Sequence, residues 1–437
     1  MLSFTKMRLV DRYGGGLLCS VFSVLRGLEG RRKRKTGKPL RVRKILITKY
    51  FGMGSLILAT PMVRALRRHY PDVRIDLLTI EENRILTQIL PVFDNVHTVN
   101  TRGLTSVIMT MAKALRQIQR ERYDIVIDAE FFSRLSTLVS YFSRARYSVG
   151  FYLPEIWRGN FLTHPVHFNY YRHATVAFMA LAKSLGVDAE DYAVEHLDIP
   201  DLVLGDVSTK LREMGVLPEQ RLVCVNVNTG PLSPERRWAE ENFVKLIKQI
   251  LWEFPDVTVV LIGARADAPV VTDLHGFFDS EEQARVINVA GRFDLLELCG
   301  LFNLSDLLIT NDSGPLHLAE ALRTRTVSFF GPETPLLYGP AGNNHLVFYK
   351  GIYCSPCLNV QNQKKAPCNG NNVCMKLITV DEVFASVKML LEGRLVPSAF
   401  HVSLDVPLHE LLIDYRSHIM PVSPAENSVP IELARRT

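Results

Sequence analysis

Residues Leu304 to Pro332 read LSDLLITNDSGPLHLAEALRTRTVSFFGP, and no other stretch restricts the fold of this chain so tightly. Leu307-Leu308-Ile309-Thr310 is a short apolar run between polar turn residues, which predicts a buried strand. Pro315 to Leu322 has helical spacing and good helix formers, and Thr326 to Phe330 predicts a second strand. Strand, turn, helix and strand in such quick succession make a βαβ unit with parallel pairing. In the turn Asn311-Asp312-Ser313-Gly314-Pro315, Asp312 or Ser313 serves as N-cap, Gly314 admits close approach to the backbone, and Pro315 suits a first helical turn. A helix start of this kind presents free amides and a positive dipole end to a phosphate, although the same residues also describe an ordinary capped β-α turn.

A chain of 437 residues exceeds what one hydrophobic core usually serves, so two domains of roughly 150 to 200 residues are expected. Four segments follow: a basic amphipathic region at 1–40, a first α/β domain at 41–205, a second at 206–396, and a partly disordered extension at 397–437, Pro- and Ser-rich in composition. The formal charge of +6 is concentrated near the N-terminus, in Arg31, Arg32, Lys33, Arg34 and Lys35 with Lys38, Arg41, Arg43 and Lys44. Without that patch the chain is close to neutral, and the patch lacks interleaved aromatics, so a nucleic-acid partner is excluded. Ahead of it, Leu17, Leu18, Val21, Phe22, Val24 and Leu25 form one apolar face, too short to span a bilayer. That face and the basic run read either as an anchor on an anionic membrane surface or as a helix docked on the protein beside a solvated linker. The absence of a cleavable leader pattern and the single apolar thiols Cys19, Cys224 and Cys299 point to a reducing cytoplasm.

Arg43 to Tyr50 predicts a strand, Phe51 to Ser55 a glycine-bearing turn, Leu56 to His69 a helix and Ile75 to Thr79 another strand. Gly52 and Gly54 are too few for a dinucleotide fingerprint. Tyr123 to Glu130 is a strand whose carboxyl end carries Asp128 and Glu130, two alternating carboxylates on one face, where open α/β sheets place ligands. They are candidates for a general base, or alternatively caps of the next helix. His173 opens a helix running to about Leu185 and reads as a cap, a packed residue or a ligand contact. The second half starts with the strand Leu222 to Asn228, followed by Thr229-Gly230 and by Ser233-Pro234-Glu235-Arg236-Arg237-Trp238 ahead of a helix at Ala239 to Trp252. Strands at Val257 to Gly263 and Val286 to Gly291 and a helix at Asp294 to Phe302 lead back to the opening stretch. Repeated strand-helix alternation predicts an α/β protein of two doubly wound lobes.

Several of these motifs, from about Val42 to Leu391, together resemble glycosyltransferase family 9, the family of the lipopolysaccharide heptosyltransferases. The carriers are Gly54 with Leu58-Ala59-Thr60-Pro61 and Arg64-Ala65-Leu66, the segment RARYSVGF at 144–151, the Arg236-Arg237-Trp238 loop, and Asp312-Ser313-Gly314-Pro315 with Phe330-Gly331-Pro332. The resemblance implies the GT-B arrangement, two Rossmann-like lobes facing a central cleft. It implies that Asp312, Ser313, Gly314 and Pro315 hold a nucleotide-sugar diphosphate, with Thr229, Asn311 and His317 in the same donor-binding set. Arg236 stands at the usual lysine position and Arg237 beside it, and such guanidinium groups can stabilise the leaving diphosphate without a metal. Gly52 and Gly54 fall on the acceptor side. Ser55 stands where the family commonly carries the aspartate regarded as the base, and a hydroxyl cannot take that role at neutral pH. Glu130, or failing it Asp128, is the expected replacement.

Cys354, Cys357, Cys368 and Cys374 cluster near the C-terminal end of the second domain, compatible with a structural zinc, a disulfide staple or reduced thiols. Relatives with a similar Cys-x-Pro-Cys loop do not use it in the chemistry, so no cofactor is required for the reaction that the resemblance implies. That reaction is inverting transfer of a heptose-like sugar from an ADP-heptose-type donor to a lipid-linked or surface-glycan acceptor, by an enzyme peripheral to the inner face of the cell membrane. The rival expectations are a nucleotide-sugar-binding protein without transferase activity, prompted by Ser55, and a nucleotide-sugar epimerase.

Overall fold

The computed structural model describes residues 9–29, 41–230, 233–342, 344–359, 366–368 and 370–394. The basic run from Arg31 to Lys38 and the extension at 397–437 lie outside the described residues. The chain divides into two compact units, the first running through Ala193 and the second starting at Val194.

The first unit contains six strands: β1 (Lys44–Thr48), β2 (Arg74–Ile80), β3 (Asn95–Val99), β4 (Ile125–Asp128), β5 (Tyr147–Tyr152) and β6 (His164–His167). The second contains β7 (Arg221–Asn226), β8 (Val257–Ile262), β9 (Val286–Asn288), β10 (Leu307–Asn311), β11 (Thr326–Phe330) and β12 (His345–Tyr349). Both sheets are parallel throughout, in the orders β3-β2-β1-β4-β5-β6 and β12-β11-β10-β7-β8-β9. Counted within each unit, both follow the doubly wound order 3-2-1-4-5-6, whose direction reverses between strands 1 and 4. The crossover helices cover both faces, so the central strands are apolar on both; all six residues of β8 are buried.

The sequence did not signal β3, β5, β6 or β12 as strands. Three of these are edge strands. An edge has one ladder exposed and takes polar residues and proline, as His164-Pro165-Val166-His167 does, so the apolar run that betrays an inner strand is missing from β6, although β12 does carry one in Leu346-Val347-Phe348. The long helix expected after β1 is two, Met53–Leu58 and Thr60–His69, with Pro61 in the first turn of the second. The division between units comes earlier than the expected 205/206 boundary. Leu197 N donates to Ala321 O at 3.0 Å, His196 Nδ1 lies 2.9 Å from the same oxygen, and the helix Asp201–Glu213 packs through Val203 and Val207 against Gly300.

At the N-terminus a π-helical turn, Val10–Gly15, runs into the helix Gly16–Glu29, which rests through Cys19 and Phe22 on Leu138, Phe142 and Phe161 of the first unit. No helix among the described residues is long and apolar enough to cross a membrane.

The core of the second unit is centred on Trp238, fully buried, whose ring lies 4.5 Å from Phe329 and 5.1 Å from Phe243, centroid to centroid. Its indole Nε1 donates to Ile378 O at 2.9 Å, so the polar end of the side chain is satisfied. Trp238→Ala is therefore expected to destabilise the second unit by about 3–5 kcal/mol in urea unfolding. A loss below about 1 kcal/mol would mean that this ring is not central to the core.

Candidate functional site

In the second unit the sheet reverses direction between β7 and β10, and the residues leaving these two strands form one polar assembly. Asn226, the last residue of β7, is paired in register with Thr310 of β10. Its Nδ2 donates to Thr310 Oγ1 at 3.0 Å, to Ser313 Oγ at 3.0 Å and to Asn228 O at 3.1 Å. One buried amide thus ties the turn after β7 to the turn after β10. Asn311 completes the tie by accepting from Trp238 N at 2.8 Å and donating to Val227 O at 3.0 Å.

Above this layer sits the pair Arg236–Asp312. Arg236 Nη1 donates to Asp312 Oδ2 at 3.0 Å and Nη2 donates to Thr229 O at 3.2 Å. Both side chains are nearly enclosed, 13% and 5% exposed. Burial works against the guanidinium charge, but the Asp312 carboxylate, its hydrogen bond and the nearby Glu333 outweigh it and hold the Arg236 pKa above its ordinary value. Several buried polar atoms around the pair have no partner among the described residues: Arg236 Nε, Ser233 Oγ, and both Nδ2 and Oδ1 of Asn228. Unpaired buried groups are costly, and their concentration at the reversal point marks where a polar ligand would repay them. Gly263, at the end of β8, leaves the room, since a Cβ there would stand 3.2 Å from Asn228 Nδ2.

The helix Gly314–Ala321 begins at this place, with Ser313 at the N-cap position and Pro315 in the first turn. Ser313, Gly314 and Pro315 are partly exposed, whereas Asp312 is buried. Ser313 caps nothing with its side chain, which is spent on Asn226 and Thr310. The helix start therefore keeps its positive end open to an anion.

The expected donor residues differ in what they touch. Asp312 is buried against Arg236, whose guanidinium it holds in place. Asn311 is a fully buried strut. His317 is buried with its Nδ1 3.4 Å from Glu320 Oε2, and Glu320 in turn accepts from Ala341 N, so the histidine is occupied inside the unit. Arg237 pairs with Glu240 at 3.1 Å and stays about one-third exposed, and Thr229 contributes its carbonyl to Arg236. Asn228 and Ser233 were missed by sequence reasoning; the only available signal was the alternation Asn226-Val227-Asn228 at a strand end.

In the first unit the reversal lies between β1 and β4, where Thr48 pairs in register with Asp128. The two carboxylates expected to supply a base are both committed here. Asp128 is fully buried, accepting from Arg158 Nη2 at 2.8 Å, Ser136 Oγ at 3.0 Å and Thr48 Oγ1 at 3.1 Å. Burial pushes its pKa up, with Arg158 and Ser136 working against that rise. Glu130 accepts from Tyr50 N at 2.7 Å, Phe51 N at 3.2 Å, Phe131 N at 3.3 Å and Lys49 Nζ at 3.1 Å. Through these bonds Glu130 holds the turn at Tyr50–Phe51 that leads into Gly52 and Ser55. Lys49 and Arg158, both buried, were not anticipated; a lone lysine after a strand looks like any surface lysine. Gly52 takes φ +84°, open to glycine, at the N-cap of the helix Met53–Leu58, and Ser55 lies in its first turn, partly exposed. His173 is a cap: its Nδ1 accepts from Thr175 N.

Of the three alternatives left open for the cysteine cluster, Cys354, Cys357, Cys368 and Cys374 stand here as free thiols. Among the described residues no group of three His, Cys, Asp or Glu could hold a metal ion. Burial pushes the Cys357 thiol up to about 11, and Cys374, Cys368 and Cys354 nearby add to the rise, so this sulfur is protonated at neutral pH.

Known proteins bear on this geometry. The family model of glycosyltransferase family 9 (heptosyltransferase) matches residues 111–367, more than half of the chain. Lipopolysaccharide heptosyltransferase 2 of Salmonella typhimurium is 25% identical over 311 residues, covering 67% of this chain and 84% of that protein. Lipopolysaccharide heptosyltransferase 3 of Escherichia coli K12 is 23% identical over 349 residues, 77% of this chain and 95% of the relative. Among solved structures, the ADP-heptose lipopolysaccharide heptosyltransferase II of E. coli matches with a TM-score of 0.65 at 21% identity, covering 80% of this chain and 99% of that one. A glycosyltransferase family 9 protein of Veillonella parvula matches with a TM-score of 0.66 at 22% identity, covering 81% and 100%. These two share the fold, which is GT-B with two Rossmann-like lobes. With two doubly wound units, a buried guanidinium-carboxylate pair at the reversal point of the second, and a family match across more than half of its length, this chain belongs to glycosyltransferase family 9, the heptosyltransferases.

Proposed function

We propose that the chain transfers a heptose-like sugar, with inversion, from an ADP-heptose-type donor to a lipopolysaccharide-type or other surface-glycan acceptor at the cytoplasmic face of the membrane. The observation that carries the donor side is the Arg236–Asp312 pair, ringed by the unpaired polar atoms of Asn228, Ser233 and Arg236 itself. In this reading the second unit binds the nucleotide sugar, its diphosphate lying against the start of the helix Gly314–Ala321 and the Arg236 fork. The acceptor hydroxyl oxygen attacks the anomeric carbon from the side opposite the diphosphate, and the bond to the diphosphate oxygen breaks. Negative charge then grows on the leaving group, and a pre-oriented guanidinium stabilises it more than it stabilises the bound donor. Names of the relatives supply the sugar and the acceptor class of this proposal.

The first unit takes the acceptor, around the turn that Glu130 and Lys49 hold in place. Ser55, in the first turn of its helix, cannot relieve the attacking hydroxyl of its proton as a carboxylate would. Leaving-group stabilisation therefore carries more of the rate enhancement here than in relatives with an aspartate at that position. Ser55 also motivates a second reading, a protein that binds the nucleotide sugar and transfers nothing.

Product can be followed by mass spectrometry with ADP-heptose and a heptose-deficient lipopolysaccharide acceptor. Arg236→Met is expected to lower kcat/KM about 10²- to 10³-fold, while Arg236→Lys, which keeps the charge opposite Asp312, stays within about tenfold. Donor binding in calorimetry with no product across a broad acceptor panel would favour the binding-protein reading, and sugar chemistry without any acceptor would overturn transfer. Ser55→Asp restores a carboxylate where the helix dipole favours it and is expected to raise turnover by about tenfold or more. An unchanged rate would put the acceptor proton on another group.

A further inference from the structure

The segment from Leu9 to Leu28 turns large apolar side chains to the outside as well as onto the first unit. Leu17, Val24 and Leu28 are 66%, 64% and 61% exposed, and Val10, Tyr13, Leu18, Val21 and Leu25 are exposed with them. Positions 10, 13, 17, 21, 24 and 28 recur at three- and four-residue steps, so they form one continuous stripe along the helix. Asp11, Ser23 and Arg26 turn the other way. Asp11 accepts from Ser133 Oγ at 2.7 Å, Leu135 N at 2.9 Å and Arg134 N at 3.1 Å, capping the helix Arg134–Phe142. Arg26 Nη1 donates to Phe161 O, and Ser23 Oγ accepts from Asn160 N at 3.1 Å. Gly15 permits this close seat, since a Cβ there would stand 2.9 Å from Arg134 Cβ. Docking is therefore already achieved by the inward face. The outward stripe serves something else, and apart from Arg12 no charged side chain between Leu9 and Leu28 is left to solvate it.

We infer that this stripe is a membrane-binding surface whose partner is an anionic lipid bilayer. Charge complementarity selects that partner: the next charged residues along the chain after Glu29 are Arg31, Arg32, Lys33, Arg34, Lys35 and Lys38. An apolar helix face followed at once by a polybasic run supplies the two signals, acyl-chain contact and headgroup attraction, that stable surface attachment needs. A second copy of the chain fits less well, because it offers the same positive run and no negative run to match it. Attachment would also act on the acceptor side of the enzyme. Asp11 grips the start of the very helix that follows Glu130, so the bound segment is fastened to the residues leaving the carboxyl end of β4. The inference assigns a surface to the membrane-side acceptor proposed above, yet it stands or falls without reference to sugar transfer.

The test is co-sedimentation of the full chain with phosphatidylcholine vesicles, with and without phosphatidylglycerol, next to the triple variant Leu17→Gln, Val24→Gln, Leu28→Gln. These three side chains point away from the protein and leave Asp11, Cys19 and Arg26 untouched, so an unchanged thermal melt should accompany the substitution. The parent is expected to sediment with the anionic vesicles, more weakly at high salt, and the variant to partition at least about tenfold less. Equal partitioning of parent and variant, or a parent that stays in the supernatant, would overturn the inference. So would a lipid-free dimer of the parent, seen by sedimentation velocity, that the variant loses. Donor binding by calorimetry on the same samples keeps failure here separate from failure of the transferase reading.

Discussion

Asp312 sits where water hardly reaches, and a carboxylate in that position must be neutralised or hydrogen-bonded to persist. Arg236 meets that demand, and much of the second unit follows from how it does so. To reach Asp312 the loop after β7 must fold back over the sheet; Thr229 O takes the second arm of the fork, and Trp238 carries the loop onward into the core. Removing one member of such a pair leaves the other buried and uncompensated, at a cost of about 3–5 kcal/mol. The same contact that organises the loop also leaves Arg236 Nε unused beside a helix start. Structural necessity and the proposed anion recognition thus fall to one side chain.

The first unit solves the same topological problem with different residues. At its reversal point two buried pairs, Lys49–Glu130 and Arg158–Asp128, lock the turns that leave β1 and β4. Here the charges are consumed internally: Glu130 receives three backbone amides besides the ammonium, and Arg158 also spans to Glu130 O at 3.3 Å. Nothing in this arrangement is poised for an anion, and its effect is to make a rigid platform for the Gly52–Ser55 turn. The second unit's reversal point leaves a guanidinium nitrogen and an asparagine side chain unpaired, whereas in the first the charged groups are paired with one another and the Tyr50 hydroxyl is left over, which suits the proposed division between gripping a charged donor and positioning a neutral hydroxyl.

The inner strands were legible because double-sided burial writes continuous apolar runs into the sequence, as in Val257–Ile262. Edge strands such as His164–His167 were not, for want of that signature. The meeting of Arg236 with Asp312 spans 76 positions, and only the likeness to a family brought the two together on paper. What the sequence could not convey was direction. Asp128 and Glu130 do share a strand end, but whether a carboxylate faces solvent or a buried cation depends on Lys49 and Arg158, roughly eighty and thirty positions away. His317 and Asn311 illustrate the same limit, since each lies beside the donor residues in the chain and is turned inward in space.

The grip of Asp11 on Ser133, Arg134 and Leu135 means that the N-terminal segment is not an appendage. A chain trimmed ahead of β1 to improve its handling would strip three donors of their acceptor at the foot of the helix Arg134–Phe142 and bare the ring faces of Tyr141 and Phe142 that Phe22 now covers. Such a shortened protein would be a different object at that surface of its first unit, however intact the second unit remained.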